Sequence, residues 1–215
     1  MLMSIERKAP SAPVDQAPDG LRWYAVRTHP KSERSVRDQI RLLGYGYRPF
    51  YPFCMVRHIR HWSRGRTIVE VLEKPYFSRY VFAGIAKWMP ISPIFSMQGV
   101  AEIISSKSAD GTSKPQPIRY RQMEGLMKRA DERGQIGVEM VSEPDHPYQP
   151  GDVVEFDRRS PFAGHQAHIM RLDKHGYVHV EWSAFGRETE GDVHHTALGE
   201  IISRSTPMAD ASRKS

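Results

Sequence analysis

Residues 131–149, DERGQIGVEMVSEPDHPYQ, divide the chain's patterning in two. They carry no helical or strand period and gather Pro, Gly and acidic side chains, the composition of a connector rather than a buried element. Upstream, helix-spaced and strand-like segments are mixed. After Pro150-Gly151 the pattern is β alone. A chain of 215 residues cut here gives two units of ordinary domain size. The expected layout is a disordered segment over 1–20, a first domain over 21–130, a linker over 131–147, a second domain over 148–202 and a disordered tail over 203–215.

Charge divides at the same place. Residues 21–130 hold 20 Lys/Arg against 7 Asp/Glu, and residues 131–215 hold 9 against 15. The first unit suits polyanions, whose attraction is strong and salt-dependent. The second does not. No apolar run approaches the ~20 residues that span a bilayer, and the N-terminus has no signal-peptide core. The expectation is a cytoplasmic, monomeric protein.

In the first unit, Arg22-Trp-Tyr-Ala-Val-Arg27 reads as a strand. Val36, Ile40 and Leu43 then stand at i, i+4 and i+7, one face of a helix over 31–43. Residues 47–56 read as one strand, at an edge or bulged, because Pro49 and Pro52 remove ladder donors. The basic stretch 57–66 reads as a hairpin or loop with its tip near Ser63–Gly65, and 67–72 as its return strand. Residues 80–85, YVFAGI, read as a central strand. Met123, Leu126 and Ala130 space as a second helix. This order implies an antiparallel sheet flanked by helices, an α+β domain. In the second unit, short strands at 153–156, 167–172, 177–182 and 187–193 imply a small all-β barrel.

No motif of a nucleophile elbow, phosphate-binding loop, zincin or dinucleotide site is present. The single cysteine, Cys54, lies in an apolar strand and reads as a buried structural thiol. The pairs His58/His61, His165/His168 and His194/His195 have no further ligand types converging on them in sequence. The expectation is a non-enzymatic protein with no catalytic residues, no metal and no cofactor.

Two blocks resemble the NusG/RfaH family of bacterial transcription elongation factors. The first is RWYAVRTHPKSERSVRDQI, then YPF, then EKPYFSRYVFAGI followed by Trp88. It is similar to the family's N-terminal domain, with its W-Y-x-V strand, helix and F-P-G-Y-x-F strand. The second, YQPGDVVEFDRRSPFAG with VEWSAFGRETE, resembles the family's C-terminal Tudor-like KOW barrel. The chain departs from the pattern at Phe77-Ser78-Arg79-Tyr80, where the family has F-P-G-Y. It departs again at Ser160-Pro161-Phe162, where the family has G-P-F, and at Ala167. The basic 57–66 segment is also unusual. These departures suggest a specialised bacterial or phage-encoded paralogue.

The resemblance implies a transcription elongation or antitermination factor that binds the clamp helices of the polymerase β′ subunit, with the β subunit as a further contact. Matching polymerase-binding positions are Trp23, Tyr24, Phe50, Tyr51, Phe53, Tyr76, Phe77 and Tyr80. About half should face the polymerase and half the helices, since strand residues alternate. In the second domain, Phe162 and Phe185 match the loops through which the family reaches termination factor Rho or a small-subunit ribosomal protein. Arg57, Arg60, Arg64 and Arg66, interleaved with Trp62, suit nucleic acid near the polymerase. The competing expectation is an RNA-binding, ribosome-associated KOW protein.

Overall fold

The computed structural model describes residues 20–61, 67–107, 111–139, 147–173, 176–184 and 187–204. The segments expected to be disordered, 1–20 and 203–215, lie almost wholly outside the described residues, as does much of the 57–66 tip.

β1 (Leu21–Thr28) leads to α1 (Glu33–Leu42), β2 (Tyr47–Phe50), β3 (Phe53–His61), β4 (Thr67–Pro75) and β5 (Tyr80–Ala86). A one-turn α2 (Ser92–Phe95) precedes β6 (Val100–Ile103), β7 (Ser105–Lys107), β8 (Ser113–Pro115) and β9 (Pro117–Ile118). Then come α3 (Tyr120–Met127) and β10 (Gln135–Glu139). The main sheet runs β2-β5-β1-β6, with β9 also on β1, and all of these pairs are antiparallel. β5 has all seven residues buried, because helices or strands cover both of its faces. On one face Val36 and Ile40 of α1 pack with Val26, Val81, Ala83 and Ile85. The spacing that implied this helix is the spacing that buries it.

Two expectations need correction. Residues 47–56 are not one strand: the chain breaks at Tyr51-Pro52, so β2 joins the main sheet and β3 joins a separate sheet, β10-β3-β4. Pro52 has no N–H for a continuous ladder, though its carbonyl accepts from Tyr76 N–H at 2.8 Å. The 131–147 stretch is also not simply a linker, since β10 lies within it and pairs in parallel with β3. Its short, glycine-interrupted run, Gln135-Ile-Gly-Val-Glu139, gives too little period to read, though Ile136 reaches the core.

The second unit contains β11 (Val153–Phe156), β12 (Gln166–Leu172), β13 (Tyr177–Ala184), β14 (Arg187–His194) and β15 (Leu198–Ser203), with a 3-10 turn at His195–Ala197. They form one antiparallel sheet in the order β14-β13-β12-β11-β15. Val178, Val180 and Trp182 alternate inward on β13, as their period requires, against Val154, Phe156, Ala167 and Ile169. The whole is mostly β with few helices.

Gly134 holds the turn into β10. Its φ is +92°, and an added Cβ would lie 2.5 Å from the Tyr51 carbonyl oxygen. Gly134→Ala combines a disfavoured backbone with a backbone clash, so it should lower unfolding free energy by about 1–3 kcal/mol in urea titration.

Candidate protein-binding face

The eight aromatic candidates do not share one surface. Trp23, Phe50, Tyr76, Phe77 and Tyr80 pack on the sheet face turned toward the second domain, while Tyr24, Tyr51 and Phe53 pack with α1 on the other. Tyr51 stacks on Phe53 at 6.0 Å, with Arg37 5.7 Å from the Tyr51 ring centre. The eight divide five against three, and strand alternation separates Trp23 from Tyr24 but not Tyr76 from Phe77, which lie outside the strands and pack on the same side. Phe82 joins the first group, 6.4 Å from Phe50 and 5.9 Å from Phe77. Its place two residues after Tyr80 on β5 was the available signal.

The first group does not face solvent: the second domain covers Tyr76, Phe77 and Tyr80, while Trp23 packs on Phe50 and its strand, β1, is packed by α3. Phe162 stands at the centre of the seam, with ring centres at 5.4 Å from Phe77, 5.2 Å from Tyr80 and 6.4 Å from Phe82. From its own domain, Phe156 lies at 5.4 Å and Trp182 at 5.6 Å. Trp182 also reaches Tyr80 at 6.0 Å. Each well-placed aromatic pair contributes about 0.5–1.5 kcal/mol beyond area burial. Phe162, expected to reach a separate partner, is 1% exposed and spends its surface on this chain's own aromatics. Phe185 lies outside the described residues, as do Trp62, Arg64 and Arg66. Arg57 and Arg60 lie on β3, whose antiparallel ladder with β4 runs to His61↔Thr67, so the described part of the basic stretch is one arm of a strand pair.

Polar contacts frame the aromatic centre. The outer edge of β14 docks on the 76–78 segment: Ser78 N–H donates to the Asp192 carbonyl at 2.9 Å, and His194 N–H to the Tyr76 carbonyl at 3.0 Å. The Tyr80 hydroxyl meets Thr189 Oγ1 at 3.0 Å. The Tyr76 hydroxyl meets Thr196 Oγ1 at 2.7 Å, and the Arg129 guanidinium donates to the same oxygen at 3.1 Å. Gln122 on α3 donates to the Ala163 carbonyl at 3.1 Å. At the rim, Lys74 pairs with Asp173 at 3.3 Å and stands 4.8 Å from the Tyr177 ring centre.

Beside the seam is a cleft of about 460 Å³. Lys31, Arg34 and Arg79 line its first-domain wall, and His179, Glu190 and Asp192 the second-domain wall. Lys31 and Arg79 are the two non-glycine residues of positive φ among those described, at 65° and 67°. Arg79 stands where the resembled motif has glycine, which explains the conformation without removing its cost. An L-residue there is disfavoured by about 1–2 kcal/mol. Glu33, 7% exposed, holds the strained turn by accepting the Arg79 backbone N–H at 2.8 Å.

Among the described residues no group of three or more His, Cys, Asp or Glu could hold a metal. His165 and His194 spend their Nδ1 atoms on Ser183 O and Thr196 Oγ1. Cys54 is buried, with its thiol on the Ile136 carbonyl at 3.1 Å.

Residues 21–127 match the family described as "Transcription termination factor nusG". The chain belongs to the NusG family. Among solved structures, "Domain interaction in Thermotoga maritima NusG" is similar at 22% identity and TM-score 0.36, covering 85% of this chain and 98% of that one. "Crystal Structure of MjSpt4:Spt5 complex conformation A" is similar at 18% identity and TM-score 0.26, covering 85% and 99%. Conformation B of the same complex stands at 17% identity and TM-score 0.30, covering 86% and 99%. No curated protein matches the chain. The NusG domain thus contains the main sheet, and the covered aromatic face is part of it.

Burial pushes the Tyr76 hydroxyl up to about 12 and raises that of Tyr80 as well. The folded chain therefore keeps protons that an unfolded tyrosine releases near 10. Stability from these groups is complete below about pH 10 and is lost as pH rises toward 12. Alkaline titration followed by near-ultraviolet circular dichroism should show the seam failing in that window, and Tyr76→Phe should remove its share of the slope. Separately, Arg79→Gly relieves the turn but gives the unfolded chain more conformational entropy, which opposes folding. Unfolding free energy should stay level or rise by up to about 1 kcal/mol by urea titration.

Proposed function

We propose that this chain is a non-enzymatic transcription elongation and antitermination factor whose NusG domain grips the clamp helices of RNA polymerase β′ through the face of Trp23, Phe50, Tyr76, Phe77, Tyr80 and Phe82. The observation that carries the reading is the density of large aromatics on one sheet face of a NusG domain. Such rings give much contact area at low entropic cost. No bond is made or broken. Binding energy favours the elongating polymerase over the paused one. The C-terminal sheet is taken as a KOW barrel that recruits Rho or a small-subunit ribosomal protein once it leaves the seam. The arginines of the 57–66 hairpin contact nucleic acid beside the polymerase. The acidic β14, with Glu188, Glu190 and Asp192, disfavours a ribosomal-RNA-binding role for that domain.

In the closed arrangement the face and the barrel's Phe162 occupy each other, so polymerase competes with the barrel. Apparent affinity is the intrinsic affinity scaled by the open fraction. Thr189→Ala with Thr196→Ala removes the hydroxyl partners of Tyr80 and Tyr76, about 1 kcal/mol each, so affinity for core polymerase should rise by up to about 30-fold. Phe77→Ala with Tyr80→Ala should abolish association in a chain that circular dichroism shows to be folded. Unchanged core-polymerase binding by that folded double variant would refute the reading. Tyr51 packs with α1, so its loss tests the fold rather than the face.

A further inference from the structure

The cleft beside the seam contains two cations that have no carboxylate partner among the described residues. Arg79 donates its Nε–H to the Thr28 carbonyl at 3.3 Å. Neither Arg79 nor Lys31 has a carboxylate within ion-pair distance among the described residues. Arg34, between them in the cleft, is already paired with Glu73 at 2.9 Å. Arg79 and Lys31 are also the two non-glycine residues held at positive φ among those described, a conformation that persists only where the surroundings impose it and that gathers at ligand-contacting sites. Glu33 imposes it at Arg79. The consequence is a guanidinium fixed one residue from Tyr80, at the rim of the aromatic face.

We infer that Arg79, seconded by Lys31, selects the partner of this face by charge: it takes a carboxylate on an acidic protein surface that packs against the aromatics. The inference rests on the polymerase-binding reading and adds to it which surface chemistry this chain prefers. The closed structure points to carboxylates. Across the cleft the wall facing the two cations is formed by Glu190 and Asp192 of β14. Those acids are themselves turned to His179, with Asp192 at 2.8 Å and Glu190 at 4.0 Å from its ring nitrogens. The barrel thus offers acids to the cations without pairing them, and an acidic partner that displaces it makes the contacts the barrel leaves unmade. Arginine suits this role because its planar fork accepts a carboxylate in two parallel bonds.

The test measures full-length protein against core RNA polymerase free of nucleic acid, for wild type, Arg79→Gly, Arg79→Lys and Arg79→Glu. Arg79→Gly should weaken binding by about 5- to 10-fold at 50 mM salt and Arg79→Glu by about 100-fold, with both deficits shrinking as salt rises. Arg79→Lys should fall between wild type and glycine. Weaker closure cannot produce this result. Loss of the cation facing Glu190 and Asp192 would loosen the closed state and raise apparent affinity, the opposite sign. Equal binding by wild type, glycine and glutamate variants overturns the inference and leaves the polymerase reading standing. Deficits that appear only when the polymerase carries DNA also overturn it, because the ligand is then phosphate. No binding by wild type or by the Thr189→Ala/Thr196→Ala chain removes the polymerase reading, and this inference with it.

Discussion

One phenylalanine joins the two halves of this molecule. Phe162 has aromatic rings from both domains around it, so the barrel core and the NusG-domain face form one continuous apolar cluster. A surface this rich in aromatics is unstable in water, and burial is the force that closes the chain.

The seam is not optimised as a permanent core. Trp23 and Trp182 both bury their indole N–H groups without a hydrogen-bond partner in the structure. An unpaired buried donor costs about 1–3 kcal/mol. The polar frame consists mainly of single hydrogen bonds and rim ion pairs, each contributing little.

The cleft differs in kind from the seam. Its first-domain side carries Lys31, Arg34 and Arg79 with Glu33 and Glu73, its second-domain side Glu190 and Asp192 with His179, and the first includes both left-handed non-glycine residues among those described. At Arg79 the sequence exchanges conformational ease for a fixed guanidinium.

The α1 face of Val36 and Ile40, the strand β5 and the inward alternation of Val178, Val180 and Trp182 were legible in the sequence. Each follows from local periodicity, which the chain must obey wherever it folds. The break at Tyr51-Pro52 and the parallel pairing of β10 with β3 were not, because a short run with glycine in it has no period and takes its partner from a strand about 80 residues away. The aromatic set was visible as residue types, but not which member faces which way. Tyr51 and Tyr80 look alike in sequence, yet one packs under α1 and the other against Phe162. Sequence alone determined that aromatics and cations gather in the first domain and acids in the second. Only the tertiary structure decided that Phe162 covers the aromatics and that Arg79 lines the cleft, held by Thr28 and Glu33, because both depend on contacts between distant segments that no local pattern encodes.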